Sequence, residues 1–342
     1  MELVQLSKVA GQDKVLAHTN WSAMFDVAVV IPTKEIDAML VDHVARINQL
    51  YPGIEVIVVA DVLGTEAIEA KVIEADSPVL GLKRNLGVKH TDKTYIAFID
   101  SDAYPDEGWL ETAIEQLEKN KSIGIVGGPN LPHPDETREQ RLGALACDSS
   151  LVVGPNTFWK RRSATRFVSE LPSSNMVFRR QDYLDIGGMS GQVMTGEDIV
   201  FCVHMAGLGK KILFHQNVRV FHFNRGLKPF LRQRYVWGKG VFSVLRIVFP
   251  AYLMSLMPFF FVSALLLLGL VGLFWTPALA FFAAILGLYT AAALFESIRI
   301  GKSDWLYLFP FIAGANISSG LGAINGALFG DSAKSYGLYT RT

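Results

Sequence analysis

Asp100 and Asp102 are carboxylates separated by a single serine, and they follow the apolar run Tyr95-Ile-Ala-Phe-Ile99. At the end of a buried strand such a pair can splay. One side chain then takes a hard divalent cation that bridges a diphosphate, and the other takes a ribose or a second metal position. Solvated turns also contain Asp-x-Asp, so the reading leans on the strand before it and on Ala103-Tyr-Pro105 and Trp109-Leu110 after it. Two other apolar runs end in the same manner. Asp26-Val-Ala-Val-Val-Ile-Pro32 leads to Thr33 and Glu35, and Ile54-Glu-Val-Ile-Val-Val-Ala60 leads to Asp61. Polar groups gathered at the carboxyl ends of neighbouring strands make the place where a nucleotide would bind.

These residues need a scaffold that brings strand ends together. Each run is continuously apolar, which suits strands buried on both faces of a parallel sheet. Helical stretches at 36–50 and 107–120 alternate with them, and Ile123-Gly-Ile-Val-Gly127 supplies a further strand. The alternation predicts an α/β domain, Rossmann-like with a mostly parallel sheet, over residues 26–224 after a lead segment at 1–25.

The chain has 342 residues, of which 50% are hydrophobic and 19% charged, with 32 basic against 32 acidic side chains. An ordinary soluble domain is roughly 25% charged. The deficit sits at one end, since residues 247–295 and 305–330 contain no Asp, Glu, Lys or Arg. A wholly soluble protein is excluded. Disorder is excluded by the abundant branched apolar residues and zero net charge, and no nucleic acid partner is expected without a basic domain. A crossing takes ~20 apolar residues, so the first run holds two, broken at Phe274-Trp-Thr-Pro277 where Trp sits at interfacial depth and Pro opens the next helix. The transmembrane region is expected over 248–330, with helices near 251–274, 278–297 and 305–329, followed by a tail at 331–342. The last of these is peppered with Gly314, Gly320, Gly322 and Gly326, so it either packs through small residues or bends as a re-entrant element.

Before the first span, Arg225, Lys228, Arg232, Arg234, Lys239 and Arg246 occur with no acidic residue among them, interleaved with Phe230, Tyr235, Trp237 and Phe242. Residues 225–247 read as an amphipathic interfacial helix on an anionic leaflet, or as a basic flank that only sets topology. Residues 1–25 carry no signal-peptide core, so the catalytic domain is expected in the cytoplasm and the protein in the cytoplasmic membrane, crossing it several times. Arg299 and Lys302 then fall on the inside. Cys147 and Cys202 are too few for a disulfide framework or zinc site.

In order along the chain, Val29-Val-Ile-Pro-Thr33, Ile57-Val-Val-Ala-Asp61, Arg84-Asn-Leu-Gly87, Phe98-Ile-Asp-Ser-Asp102, Ser174-Asn-Met-Val-Phe-Arg179, Gly187-Gly188, Gly196-Glu-Asp198 and Val220-Phe-His222 resemble the motif series of family 2 glycosyltransferases with the GT-A fold. The stretch Arg232 to Gly240 leading into a few spans is similar to the bacterial exopolysaccharide and O-antigen branch that includes succinoglycan-type transferases. The resemblance implies that Thr33, Glu35, Asp61 and Asp100 line the donor pocket. It implies that Asp100 and Asp102 hold Mg²⁺ or Mn²⁺ on the donor diphosphate. Asp198, preceded by Glu197, matches the general base, which takes the acceptor proton as oxygen attacks the anomeric carbon. Arg84 is either a donor contact or a structural ion-pair partner, and His222 either a third metal ligand or a core histidine. Arg232, Gln233, Arg234, Trp237 and Lys239 fall to the acceptor and membrane side. Residues 129–172, with Arg138, Arg141, Phe158, Trp159, Lys160, Arg161 and Arg162, form an insertion that is either a solvated loop or a cover for the acceptor's diphosphate. His18, His43, His90, His133, His204 and His215 show no ligand spacing and read as surface or core.

Two departures from the pattern bear on specificity. Ala60-Asp61-Val62-Leu63 stands where the family usually has Asp-Asp-Gly-Ser, which removes one acidic contact to base or ribose. Gln233-Arg-Tyr-Val236-Trp237 has Val where processive synthases carry Arg, and together with so few spans this implies single additions. The implied function is inverting, metal-dependent transfer of one sugar from a nucleotide-sugar donor, a UDP-sugar first among them, to a polyprenyl-diphosphate-linked glycan in polysaccharide or glycoconjugate biosynthesis. Transfer to polyprenyl monophosphate and an inactive membrane scaffold are the alternatives. The intact Asp100, Asp102, Glu197 and Asp198 count against the scaffold.

Overall fold

The computed structural model describes residues 26–154 and 163–331. The lead segment 1–25, the insertion residues Phe158, Trp159, Lys160, Arg161 and Arg162, and residues 332–342 of the tail lie outside the described residues. The strands are β1 (Val27–Glu35), β2 (Glu55–Val62), β3 (Lys71–Glu74), β4 (Tyr95–Ile99), β5 (Ala103–Pro105), β6 (Ile123–Gly127), β7 (Asn130–Pro132), β8 (Arg166–Val168), β9 (Asn175–Arg179), β10 (Lys211–Phe214) and β11 (Val220–His222). The helices are α1 (Ala38–Leu50), α2 (Leu80–Lys89), α3 (Trp109–Lys119), α4 (Arg138–Ala146), α5 (Ser150–Val153), α6 (Arg180–Asp185), α7 (Glu197–Gly207), α8 (Leu227–Val248), α9 (Met257–Gly272), α10 (Thr276–Gly301) and α11 (Trp305–Phe329).

The apolar runs form strands buried on both faces because successive side chains point to opposite sides of a sheet. Val27, Val29 and Ile31 of β1 pack with Leu40, Val44 and Ile47 of α1 and with Trp109 and Leu110 of α3. Ala28 and Val30 face the other way, into a cluster with Val88, Phe178 and Phe201. The main sheet runs β3-β2-β1-β4-β9-β6-β10-β8. One half of it, β3-β2-β1-β4, is parallel as expected. The rest is mixed, since β9 lies antiparallel between β4 and β6, and β8 closes the edge antiparallel to β10. A small sheet, β5-β11-β7, stands at the carboxyl end of β4.

Two C-terminal stretches are long and apolar enough to cross a membrane, Leu253–Gly272 (mean hydropathy 2.3) and Thr276–Phe329 (mean hydropathy 2.1). Phe274 is 87% exposed and Leu288 74%, an apolar surface that water would not tolerate over such an area. The second stretch is divided by the turn Lys302–Asp304 into α10 and α11. The third apolar run is one continuous helix of 25 residues, and small residues seat it on α8. A Cβ added at Gly238 would lie 1.9 Å from the Ser319 carbonyl oxygen, and one at Gly322 would lie 2.0 Å from that of Tyr235. The helix expected over 225–247 is therefore not a free amphipathic helix on a leaflet. Part of its circumference is covered by protein, and its basic residues are divided accordingly. Arg232 and Trp237 are exposed and Gln233 half-buried, whereas Arg234 and Lys239 are buried.

Candidate active site

Three strand ends supply the carboxylates. Asp100 follows β4 directly, and the turn Asp100-Ser-Asp102 is closed by the Ala103 amide donating to the Asp100 carbonyl at 3.1 Å. His222 closes β11, and the antiparallel register that sets it opposite Ala103 brings its ring beside this turn. Its Nε2 lies 3.2 Å from Asp102 Oδ1 and 3.8 Å from Asp100 Oδ2. One ligand atom from each of Asp100, Asp102 and His222 lies within 4.8 Å of the others. His222 is buried and its Nδ1 has no partner among the described residues, so the ring is held by packing and aimed by its strand. Two carboxylates and an imidazole form a donor set suited to Mn²⁺, and less so to Mg²⁺. His222 thus stands beside the two candidate metal ligands and is at the same time a buried histidine.

Arg84, on α2, is 1% exposed. It donates from one Nη to Asp100 Oδ1 at 2.9 Å and from the other to Glu197 Oε1 at 2.8 Å. Arg84 thus has the geometry of an ion-pair partner to two carboxylates, with its Nε buried. Burial pushes the Asp100 carboxyl up, but the facing His222 and the Arg84 charge outweigh it and hold the group at about 2.

Glu197 and Asp198 form the first turn of α7, entered through Gly196 at φ 79°, a backbone conformation that favours glycine. The helix N-terminus favours negative charge there. Glu197 is buried and bound by Arg84, whereas Asp198 accepts only from the Ile199 amide among the hydrogen bonds of the described residues. Burial, with the Glu197 and Glu170 carboxylates nearby, pushes Asp198 up to about 8. A carboxylate with that proton affinity, beside one already neutralised by an arginine, is the better acceptor of a proton.

At the neighbouring strand ends Thr33 is buried and donates to the Glu35 carbonyl at 2.8 Å, while the Glu35 side chain is exposed. Lys83, adjacent to Arg84, reaches the Thr33 carbonyl at 2.6 Å and Asp61 at 2.8 Å, so it fastens the end of β1 to that of β2. Burial lowers the Lys83 pKa against the pull of Asp61. This residue is not singled out from the sequence, and it directly precedes the Arg84-Asn-Leu-Gly87 motif. His43 was missed too. It stands on the buried face of α1 with Leu40, Val44 and Ile47, and its Nδ1–H donates to the Ser101 carbonyl at 3.0 Å, directly beneath the Asp100–Asp102 turn. Burial lowers its pKa, which keeps the ring neutral. Its position in the helical stripe was the available signal.

Other motif residues are structural. Asn85 grips the loop after Gly187-Gly188, accepting from the Met189 amide at 2.9 Å and donating to its carbonyl at 2.8 Å. Asn175 ties β9 to Trp109 at 2.9 Å and to the Val218 carbonyl at 2.8 Å, which braces the approach to β11. Farther along, Arg234 and Lys239 are buried on α8, and Arg232, Gln233 and Trp237 face outward to different degrees.

The model of the family described as "Glycosyl transferase family group 2" matches residues 95–295. A pre-mycofactocin glycosyltransferase of Mycobacterium tuberculosis is 26% identical over 224 residues, covering 62% of this chain and 46% of the relative. A glucosyl-dolichyl phosphate glucuronosyltransferase of Haloferax volcanii is 24% identical over 156 residues, covering 42% of this chain and 47% of the relative. The chain thus spans about half the length of these curated relatives. Among solved structures, a mannosyltransferase from Pyrobaculum calidifontis in complex with GDP-Man and Mn²⁺ superposes with a TM-score of 0.52 at 17% identity, over 89% of this chain and 87% of that one. The likeness shows a shared fold.

Proposed function

This chain belongs to glycosyl transferase family group 2, and from that premise we propose that it transfers a single sugar, with inversion, from a nucleotide-sugar donor to a lipid-linked acceptor at the cytoplasmic face of a membrane. The observation that carries the reading is the Asp100–Asp102–His222 cluster tied through Arg84 to the Glu197-Asp198 turn. Thr33 and Asp61, fastened together by Lys83, bound the nucleoside end of the donor site, and Glu35 stands exposed at its rim. A divalent cation held by Asp100, Asp102 and His222 would neutralise the leaving diphosphate. Asp198 takes the proton of the acceptor as its oxygen bonds to the anomeric carbon and the bond to the diphosphate breaks. One displacement of this kind inverts the centre. Glu197, held by Arg84, orients the turn rather than accepting the proton.

The acceptor assignment draws support from the apolar helices and from the relative named for glucosyl-dolichyl phosphate. A polyprenyl-diphosphate-linked glycan, in polysaccharide or glycoconjugate biosynthesis, is the leading form, and a UDP-sugar the first donor to test. The chain crosses the membrane more than once, through α9 and α10. The α10–α11 turn stays on the catalytic side, as the ion pair between Asp304 and Arg138 of α4 supports. The test is incubation of membranes carrying the protein with a panel of radiolabelled nucleotide sugars, with and without chelator, followed by chromatography of extracted lipid. Label in a lipid product that depends on added Mn²⁺ or Mg²⁺ supports the reading. Absence of labelled lipid with every donor refutes it.

A further inference from the structure

Arg234 is a buried cation that no carboxylate pairs with among the described residues. It is 6% exposed, and its guanidinium lies 4.9 Å from the Phe230 ring centre and 4.7 Å from that of Trp237. One Nη donates to the Val152 carbonyl at 3.3 Å, and the other reaches Cys147 Sγ, a weak acceptor, at 3.6 Å. Nε is buried and unpartnered. No carboxylate pairs with it among the described residues, and α8 contains no Asp or Glu. Taking a guanidinium out of water without an anion is strongly unfavourable. The buried cations of the strand-end site avoid that penalty, Arg84 through Asp100 and Glu197 and Lys83 through Asp61.

Its location narrows what the missing anion is. Arg225 acts electrostatically on both Asp100 and Arg234, and Tyr252 feels both Asp198 and Arg234. Farther along α8, Gly240 packs against the loop that carries the base, where an added Cβ would lie 2.2 Å from Thr195 Oγ1. On the opposite side the same helix is seated on α11, beside the apolar helices. Arg234 therefore stands between the candidate base and the membrane side of the molecule, where a lipid headgroup entering the site would pass.

We propose that Arg234, with Arg225 beside it, receives the phosphate of the lipid-borne acceptor. A planar fork of N–H donors matches phosphate oxygens in a bidentate manner, and two flanking rings hold the fork while the lipid chain runs toward the apolar helices. The assignment rests on the lipid-acceptor reading above, and names the chain's own residue that would recognise the headgroup.

The test is equilibrium binding of radiolabelled farnesyl phosphate and farnesyl diphosphate to the full-length protein in detergent, with nucleoside-diphosphate binding in Mn²⁺ as the check on folding. Arg234→Gln should weaken both lipids by about tenfold or more, as loss of a charge-assisted hydrogen bond predicts, with nucleotide binding unchanged. Arg234→Lys, which keeps the charge and loses the fork, should fall between. Unlabelled inorganic pyrophosphate should compete poorly. If it displaces the label as well as farnesyl diphosphate does, the site takes free phosphate and the lipid assignment is overturned. Wild-type lipid affinity in a folded Arg234→Gln protein, or no lipid binding by the native chain, also overturns it. Should Arg234→Gln not fold, Arg234→Lys decides: reduced lipid affinity supports the assignment and native affinity overturns it. Arg234-dependent binding without transfer from any donor would sink the transferase reading and leave this inference standing.

Discussion

At the strand ends the cations Lys83 and Arg84 are matched by carboxylates, and among the described residues the cation Arg234 on α8 is not. The two regions are buried to a similar degree, so solvent does not explain the difference. Chain position does. Lys83 and Arg84 lie on a helix packed against β1 and β2, within reach of Asp61 on β2, Asp100 after β4 and Glu197 at the start of α7, and a pair of opposite charges held at 2.8 or 2.9 Å offsets much of the desolvation of each. Arg234 lies on a helix without acids, and that helix packs against α11, which is equally free of them. A charge balanced by its own fold is a brace. One left unbalanced is where the anionic ligand proposed above would bind.

The comparison can be broken most severely at the metal corner. Asp102→Ala, or excess chelator on the native protein, is expected to abolish transfer and donor binding together, measured by radiolabel transfer and by titration calorimetry of donor with Mn²⁺. Full transfer under chelation would show that the balanced charges need no cation. Next in size, Asp198→Asn should retain donor and metal binding while single-turnover transfer falls by roughly 10²–10⁴, the usual range for a lost general base. If Glu197→Gln shows that pattern instead, the two carboxylates exchange roles.

Arg84→Met asks whether the brace is a brace. Removing one member of a buried ion pair costs about 3–5 kcal/mol, and here it would strand both Asp100 and Glu197. Chemical denaturation should report that loss, and a stability change near zero would mean the pairing carries no weight. His43→Ala leaves the Ser101 carbonyl without its donor, and the turn carrying the candidate metal ligands should loosen, weakening Mn²⁺ affinity by roughly 10–100-fold as for other outer-shell partners of metal ligands. Unchanged Mn²⁺ titration would place His43 with the ordinary core.

The smallest effect is in the pH profile. With Asp198 raised to about 8, a base at this position would be protonated below that value, so transfer is expected to climb as pH rises toward 8 and level off above it. Stability runs in the opposite direction. The unfolded carboxyl ionises near its ordinary 3.8 and the folded one near 8, so the folded state holds the extra proton between them and stability declines as pH rises across that window. Asp198→Asn should remove both slopes, and their persistence in the variant would assign them to another group.

The pattern of residues along the chain was enough to determine the buried strands ending in Thr33, Asp61 and Asp100, the helices over 36–50 and 107–120, and the break between apolar segments at Trp275-Thr-Pro277. Those features follow from periodicity and hydropathy, which are local properties of the sequence. The motif series also pointed to Asp102, Glu197, Asp198 and His222. What the tertiary structure alone decided is which of these meet. Arg84 reaches Glu197 across 113 residues because β9 enters the sheet antiparallel between β4 and β6 and leads the chain back to α7. His222 reaches Asp102 only through the register of β11 on β5. Along 225–247 the sequence displays a row of equivalent cations. Their equivalence ends when α11 packs on one side of α8 and the Val193–Val200 region on another, turning Arg234 and Lys239 inward and leaving Arg232 out. Helix and strand formation read neighbours a few positions apart, whereas burial and charge pairing depend on contacts between segments far apart in sequence, and no local pattern encodes those.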